Sequence, residues 1–462
     1  MPVDASTPTS PARPSLGRKL KFTLIALVAG IALLAVITRG TPDSVRAQLE
    51  AMRAAGEPTD ATSLATWIPP VPASENGAIK LLELIDGFRG ADHTQVPRRA
   101  RSWNATNLAW AAAESARLQS WRNDVHTALQ ATRFRYPLGV TNGVANLRIS
   151  HLSAVKNAST TLAFWASHSA ALKLPDESAS ALLDAIRTAR TFDDEPILIS
   201  WLVRAACLSI TAVAAENALT LTAFPDARLA ELQAAFLNAD RSEPLSRALI
   251  TERTFGLEVL QSSPSQYVKL NQVPSGIPGA PSASNVERIT ATLAQTGYQL
   301  SGGQGSDTEY YLKTLRELIE ISRLSGPARM NALLKLQNRF DKESNRWNRH
   351  RSRATAEALF EAAKKDQRAA TILRSASVGC AIERFRNAHL GKLPSSLADL
   401  IPTYLPSIPL DPANDQPLRF RPLNPGFVVY GVGPDGEDNQ GNSVRKVGAG
   451  DAGTDITFTV ER

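Results

Sequence analysis

The chain has 462 residues, 43% of them hydrophobic and 21% charged, with a formal net charge of +7 and a mean hydropathy of −0.16. That length exceeds what one hydrophobic core usually organises, and the composition excludes wholesale disorder and a multi-span membrane protein. Two cysteines and six histidines exclude a disulfide scaffold, a four-thiolate metal site and a histidine-rich metal centre.

Residues 1–21 form a polar tail ending in Arg13, Arg18, Lys19 and Lys21, and Phe22 to Thr38 then run 17 residues without a charge before Arg39. As a helix this run is about 26 Å long, near the roughly 30 Å of a bilayer core, with Lys21 and Arg39 able to snorkel. It ends Val36-Ile37-Thr38-Arg39 without a small-x-small cleavage site, which favours an uncleaved signal anchor over a cleaved signal peptide. Four positive charges precede the run and only Arg39 and Arg46 follow closely, so the N-terminus is expected in the cytoplasm of an inner-membrane protein. The rest of the chain then lies in the periplasm or outside the cell. Residues 197–215 are a second apolar stretch, with Arg204 at its centre. An arginine there costs roughly 2.5–3.5 kcal/mol on insertion, so this stretch reads as a core helix. The acids of Asp193-Asp194-Glu195-Pro196 look like its N-terminus.

The expected architecture is mainly α: the anchor, a multi-helix ectodomain over 43–263, a Pro/Gly/Ser-rich loop or linker over 264–306 and a helical segment over 307–390. A small α+β module with about three antiparallel strands closes the chain over 391–462. Helices are expected near 43–55, 75–87, 103–133, 146–173, 178–192, 196–222, 226–238 and 243–262, with Pro175, Pro196, Pro225 and Pro244 in gaps or at starts. The linker carries one helix, near 286–295. Ser306 and Glu309 have the spacing of a capping box, and later helices run from Pro327 and from about Arg353 to Ala388. Beyond Gly391, Ser395 to Leu400 caps a short helix. Leu418-Arg419-Phe420 and Phe427 to Tyr430 read as paired strands, and Ile456, Phe458 and Val460 alternate with threonines as a third.

An ordered set of residues carries a resemblance in this last part: Ala381 to Arg386, Gly391-Lys392-Leu393-Pro394, Leu397 with Leu400, Asp411-Pro412, Phe427 to Tyr430, Gly433-Pro434-Asp435-Gly436 and Asp455-Ile456. Over about 85 of the 462 residues the chain resembles the C-terminal part of the major (G-type) pseudopilin of type II secretion systems. The larger helical part looks like uncharacterised membrane-anchored bacterial proteins. The resemblance implies calcium in the loop after the paired strands, with Asp435 and Asp455 as carboxylate ligands; composition alone offers Asp438, Glu437 and Asp451 as nearby oxygen donors. It departs from the family at the N-terminus. Lys21 stands where a prepilin needs glycine and Ala26 where it needs glutamate, so processing should fail, and more than 300 residues separate the apolar run from the module.

No motif declares an activity. Gly431 to Gly436 spells G-x-G-x-x-G, but Glu437 to Gly441 cannot supply the helix that a dinucleotide fingerprint requires. Ser153-Ala154-Val155-Lys156 spells S-x-x-K without its companion elements. His126, His151 and His168 fall in helices, and five tryptophans (Trp103, Trp110, Trp121, Trp165, Trp201) read as core or groove residues. Arg346, Arg349, Arg351 and Arg353 form the densest basic cluster, which reads as a solvated helix end or, as a functional surface outside the cytoplasm, as a contact for anionic lipid or envelope polymer and not for nucleic acid. The expected function is a membrane-anchored envelope binding or scaffold module, secretion-associated, with a protein or envelope-polymer partner and no catalytic residues. The alternative is an extracytoplasmic hydrolase working in a cleft between helices.

Overall fold

The computed structural model describes residues 42–91, 102–240, 243–271, 285–433, 436–442 and 454–462. The basic tail, the apolar run at 22–38, and Asp435 and Asp451 lie outside the described residues. The chain is mainly helical, as its composition and periodicity imply. The helices are α1 (Pro42–Ala54), α2 (Ala61–Trp67), α3 (Gly77–Ile85), α4 (Ala105–Ala128), α5 (His151–Ala171), α6 (Pro175–Arg190) and α7 (Leu198–Leu221). There follow α8 (Asp226–Ala239), α9 (Glu243–Gln261), α10 (Pro264–Asn271), α11 (Asn285–Leu300), α12 (Gly303–Ser322), α13 (Gly326–Glu343) and α14 (His350–Ala388). Three short antiparallel strands, β1 (Arg419–Pro422), β2 (Phe427–Gly431) and β3 (Ile456–Val460), form one sheet in that order.

Local chemistry explains most boundaries. Asp60 with Ser63 closes a capping box on α2, Asn104 with Asn107 does so on α4, and Pro175 occupies the first turn of α6. Two expected starts are corrected. α12 begins at Gly303, so Ser306 and Glu309 lie inside its first turns and cap nothing. α7 begins only at Leu198, because Asp193 and Glu195 turn toward buried partners instead of facing the helix dipole. The stretch 264–306 also holds more helix than its composition suggests, namely α10, α11 and the start of α12.

Helices α5, α6 and α7 pack on one another, and α7 is the described helix apolar enough to cross a membrane. Here it is surrounded instead: α5, α6, α9, α14 and β3 all touch it. Arg204 is satisfied inside, donating from Nε to Asp193 Oδ1 (2.7 Å) and from Nη2 to the carbonyl of Ala239 (2.9 Å). The 39-residue α14, about 58 Å long at 1.5 Å per residue, spans two cores. Its first half packs with α9, α12 and α13 around Leu315, Phe340 and Phe360. Its second half packs with α7, α8 and the sheet, and Phe427, Val429, Phe458 and Val460 share one apolar cluster with Leu182, Leu208 and Phe236.

The sheet lies on α14 at Gly379, where an added Cβ would come within 2.4 Å of the Phe458 ring. Ile456, Phe458 and Val460 are buried while Thr457 and Thr459 are half-buried, the alternation expected for β3. The outer edge of β3 is closed by α7. The N–H of Thr459 donates to Glu216 Oε1 (2.6 Å), the N–H of Glu461 to Thr220 Oγ1 (3.0 Å), and Arg462 Nε to the carbonyl of Leu219 (2.6 Å). Arg462 also pairs with the buried Glu383 of α14. Edge strands need such cover, because their free N–H groups otherwise template pairing with another chain.

Candidate functional site

The loop after β2 brings two of the expected calcium residues to one place. Asp455 accepts from the N–H of Gly441 (2.7 Å) and of Asn439 (3.3 Å). Asp438 accepts from the N–H of Gln440 (2.8 Å) and pairs with Arg419 Nε (3.1 Å). Burial raises the pKa of Asp455, and the negative charge of Asp438 raises it further. Among the described residues no three His, Cys, Asp or Glu side chains gather as a metal-binding group. Two carboxylates are also short of the six to eight oxygens calcium takes. Arg419 stands as the local cation, its Nη1 lying 3.5 Å from the buried Asp411. Asp411 holds the end of β2 through the N–H of Val432 (2.8 Å), and residues 437–442 directly after Gly436 are not helical, so G-x-G-x-x-G does not open directly into a phosphate-binding helix.

The three helical histidines each have a partner. His126 Nδ1 sits 2.8 Å from Oδ2 of the buried Asp184, which also binds Arg187 at 3.1 Å. His151 Nε2 sits 3.1 Å from Glu195 Oε1, to which Ser200 also donates, while Tyr136 stacks on its ring at 4.4 Å. His168 Nδ1 pairs with Ser115 Oγ at 2.7 Å between Trp103 and Phe164, and burial lowers its pKa. These pairs do not converge on a shared nucleophile. Ser153 of S-x-x-K is exposed and bonds only its own turn, at the carbonyl of Ser150.

Two of the clefts lined by the described residues adjoin these groups. One of about 160 Å³ lies where α7, α8, the α12–α13 turn, α14 and the loop before β1 meet. Three of its four arginines are paired: Arg329 with Asp366 (2.8 Å), Arg374 with Asp240 (2.6 Å) and Arg204 with Asp193 (2.7 Å). Burial pushes Asp366 upward and Arg329 opposes it. The other, about 380 Å³ and more polar, is lined by Thr132, Phe134, Arg187, Arg190, Asp193 and Asp194. Arg187 links it to the His126–Asp184 pair.

Several determining residues are not evident from sequence. Arg351, read as part of an exposed basic cluster, is buried: Nη1 donates to the carbonyls of Leu260 (2.9 Å), Ser262 (3.1 Å) and Val259 (3.3 Å) at the end of α9. Nε and Nη2 reach Gln295, and the guanidinium lies over Tyr267 at 4.2 Å. Arg349 lies over Tyr310 at 4.0 Å, which leaves Arg346 and Arg353 exposed. The buried Asp307 caps α14 by accepting from the N–H groups of Arg351 (3.1 Å) and Ser352 (3.3 Å). Glu216 and Glu252 bracket α7, and burial pushes them up to about 8 and about 7. Glu252 accepts from the N–H of Leu198 at the start of that helix. Cys207 and Cys380 are both free and buried. Comparison with protein-family models, with curated proteins and with solved structures finds no match to this chain.

Proposed function

We propose that this chain is a single-pass envelope protein, held in the inner membrane by residues 22–38 with its N-terminus cytoplasmic. Its periplasmic helical body acts as a binding or scaffold module and ends in a pseudopilin-like, secretion-associated part. Its partner is a protein or envelope polymer, not nucleic acid. The observation that carries the reading is the use made of the chemically capable side chains. Asp184, Glu195, Asp366, Glu216 and Glu383 are all engaged in bracing one element against another. The closed outer edge of β3 supports a scaffold in which the small sheet is fixed to the body instead of assembling with further copies.

Calcium belongs to the same reading. Asp438 and Asp455 are adjacent like charges that a hard cation would neutralise, with Asp435 the third carboxylate implied by the resemblance. A bound calcium supplies charge neutralisation and order in the loop; Arg419 competes with it for Asp438.

A hydrolase is the second reading, and His126 carries it. A buried carboxylate orients a half-exposed imidazole, and Arg187 connects that pair to the larger polar cleft. Complementation of a deletion strain separates the two. The scaffold reading expects His126→Gln to restore function like the wild type, and removal of residues 22–38 to abolish it. A folded, membrane-bound His126→Gln protein that fails to complement would favour the hydrolase.

A further inference from the structure

Helix α11 shows solvent an apolar face. Leu293 is 66% and Leu300 72% exposed, and Ala294 and Gly297 between them are exposed too. Positions 293, 297 and 300 fall on one side of an α-helix, and Gln295 and Tyr298 point the other way, into the contacts with His350 and Arg351. Most other exposed leucines and isoleucines stand singly, as is usual for a folded chain.

The position of this face in the molecule indicates what covers it. α1 runs antiparallel to α9, because Glu57 pairs with Arg253 while Met52 packs on Leu257. It runs alongside α12 in the same direction, with Gln48 near Arg316 and Ala55 sharing a small cleft with Glu320 and Arg323. The first turn of α1 therefore points past the end of α9, where Gln304 of α12 bonds Leu260 and Arg351 grips the last carbonyls of α9. From Met52 back to Pro42 is ten residues, about 15 Å of helix, whereas only four residues of α9 follow Leu257. This is the end at which Leu300 turns into α12. Only Arg39, Gly40 and Thr41 separate the charge-free run from Pro42, a link of roughly 14 Å at full extension.

We propose that the Leu293–Leu300 face of α11 rests on the bilayer surface, making a second contact with the membrane beside the anchor. The inference rests on the reading of residues 22–38 as a span. Two elements support it: an amphipathic helix with its apolar side outward, and a tether too short to let this end move far from the lipid.

The test uses the full chain in phosphatidylethanolamine and phosphatidylglycerol vesicles, with a bimane fluorophore at Leu293→Cys, Leu300→Cys, Val213→Cys or Leu33→Cys. Native Cys207 and Cys380 are buried and stay unlabelled. Lipids brominated along their acyl chains quench a fluorophore that touches them, and iodide quenches one in water. The proposal expects bromolipid to quench positions 293 and 300 as it does position 33, and to spare position 213. If 293 and 300 are quenched by iodide alone while 33 is quenched by bromolipid, the anchor stands and the second contact is refuted. If neither quencher reaches 293 and 300, a protein surface covers them, either residues 272–284 or a second copy, and the proposal is equally refuted. An unquenched position 33 refutes the anchor itself, and this inference with it.

Discussion

Replacing Glu216 by glutamine keeps an oxygen acceptor for the N–H of Thr459 while removing a titrating proton, and replacing it by alanine removes the acceptor as well. The difference between the two variants measures how β3 is fastened to α7. Burial pushes the Glu216 carboxyl up to about 8 from an ordinary 4.5, and the N–H of Thr459 opposes that rise only in part. A group whose pKa rises on folding keeps its proton in the folded protein after the unfolded chain has released it. Its contribution is complete below about pH 4.5 and is lost as pH climbs to about 8. Within that window the loss is about 1.4 kcal/mol per pH unit, or up to about 3 kcal/mol between pH 5 and 7. Glu252, raised to about 7 by burial, adds a slope of the same sign, so the wild-type profile must be compared with that of Glu216→Gln. The assay is urea unfolding at pH 5, 6, 7 and 8. Glu216→Gln should flatten the decline by up to one proton, and Glu216→Ala should be less stable than Glu216→Gln by about 1 kcal/mol because the half-buried N–H of Thr459 loses its acceptor. Superimposable pH slopes for wild type and Glu216→Gln, or equal stability of the two variants, would refute the reasoning.

Arg351→Met should lower unfolding stability by at least roughly 3 kcal/mol, since three carbonyls at the end of α9 lose a charged donor, while exposed Arg353→Met should change it by less than about 0.5 kcal/mol. Equal effects would show that Arg351 is not the brace described. Gly379→Ala places a methyl against Phe458 and should destabilise by about 1–3 kcal/mol in thermal melts, whereas Gly297→Ala, with open space around it, should stabilise by about 0.5–1 kcal/mol. The opposite order would mean that the sheet does not sit on α14 as described. Calcium should raise the melting temperature of the full chain relative to chelator, by about 2.7 kcal/mol of stability at one hundred times Kd, and Asp455→Asn should abolish the gain. Identical melts with calcium and with chelator would rule out the metal.

Much of the helical order was legible because its signals are local. Prolines at 175, 196, 225 and 244 and glycine at 391 punctuate the chain near element boundaries, and the alternation of Ile456, Phe458 and Val460 specifies the buried side of β3. The failures came where distant partners override local preference. Asp193 and Glu195 have the sequence position of helix-starting acids, yet Arg204, His151 and Ser200 draw them inward, and the N–H of Leu198 finds Glu252 instead. Ser306 and Glu309 have capping-box spacing, but Gly302 in a left-handed turn lets α12 begin earlier. Proline, glycine and serine between 264 and 306 masked α10 and α11, whose helical faces are held by Tyr267 and Tyr298 against Arg351.

The candidate site was legible to the same extent. Asp438 and Asp455 meet because the strands that carry their loop pair as the alternating pattern implies. Glu216 does carry a sequence signal: it is the lone acid of an otherwise charge-poor apolar helix, a position where an uncompensated carboxyl is expensive unless a donor reaches it. Arg351 carried none, since its carbonyl partners lie about ninety residues earlier in the chain. A basic run therefore does not reveal which of its members turns inward.

The most direct test of the central claim, an anchored protein with its body on the far side of the inner membrane, is labelling of Leu390→Cys in intact spheroplasts with a membrane-impermeant maleimide. Leu390 is 97% exposed and follows the end of α14, and the native cysteines are buried. Full labelling before lysis is the result expected; labelling that appears only after the membrane is opened would place the body in the cytoplasm and contradict the account.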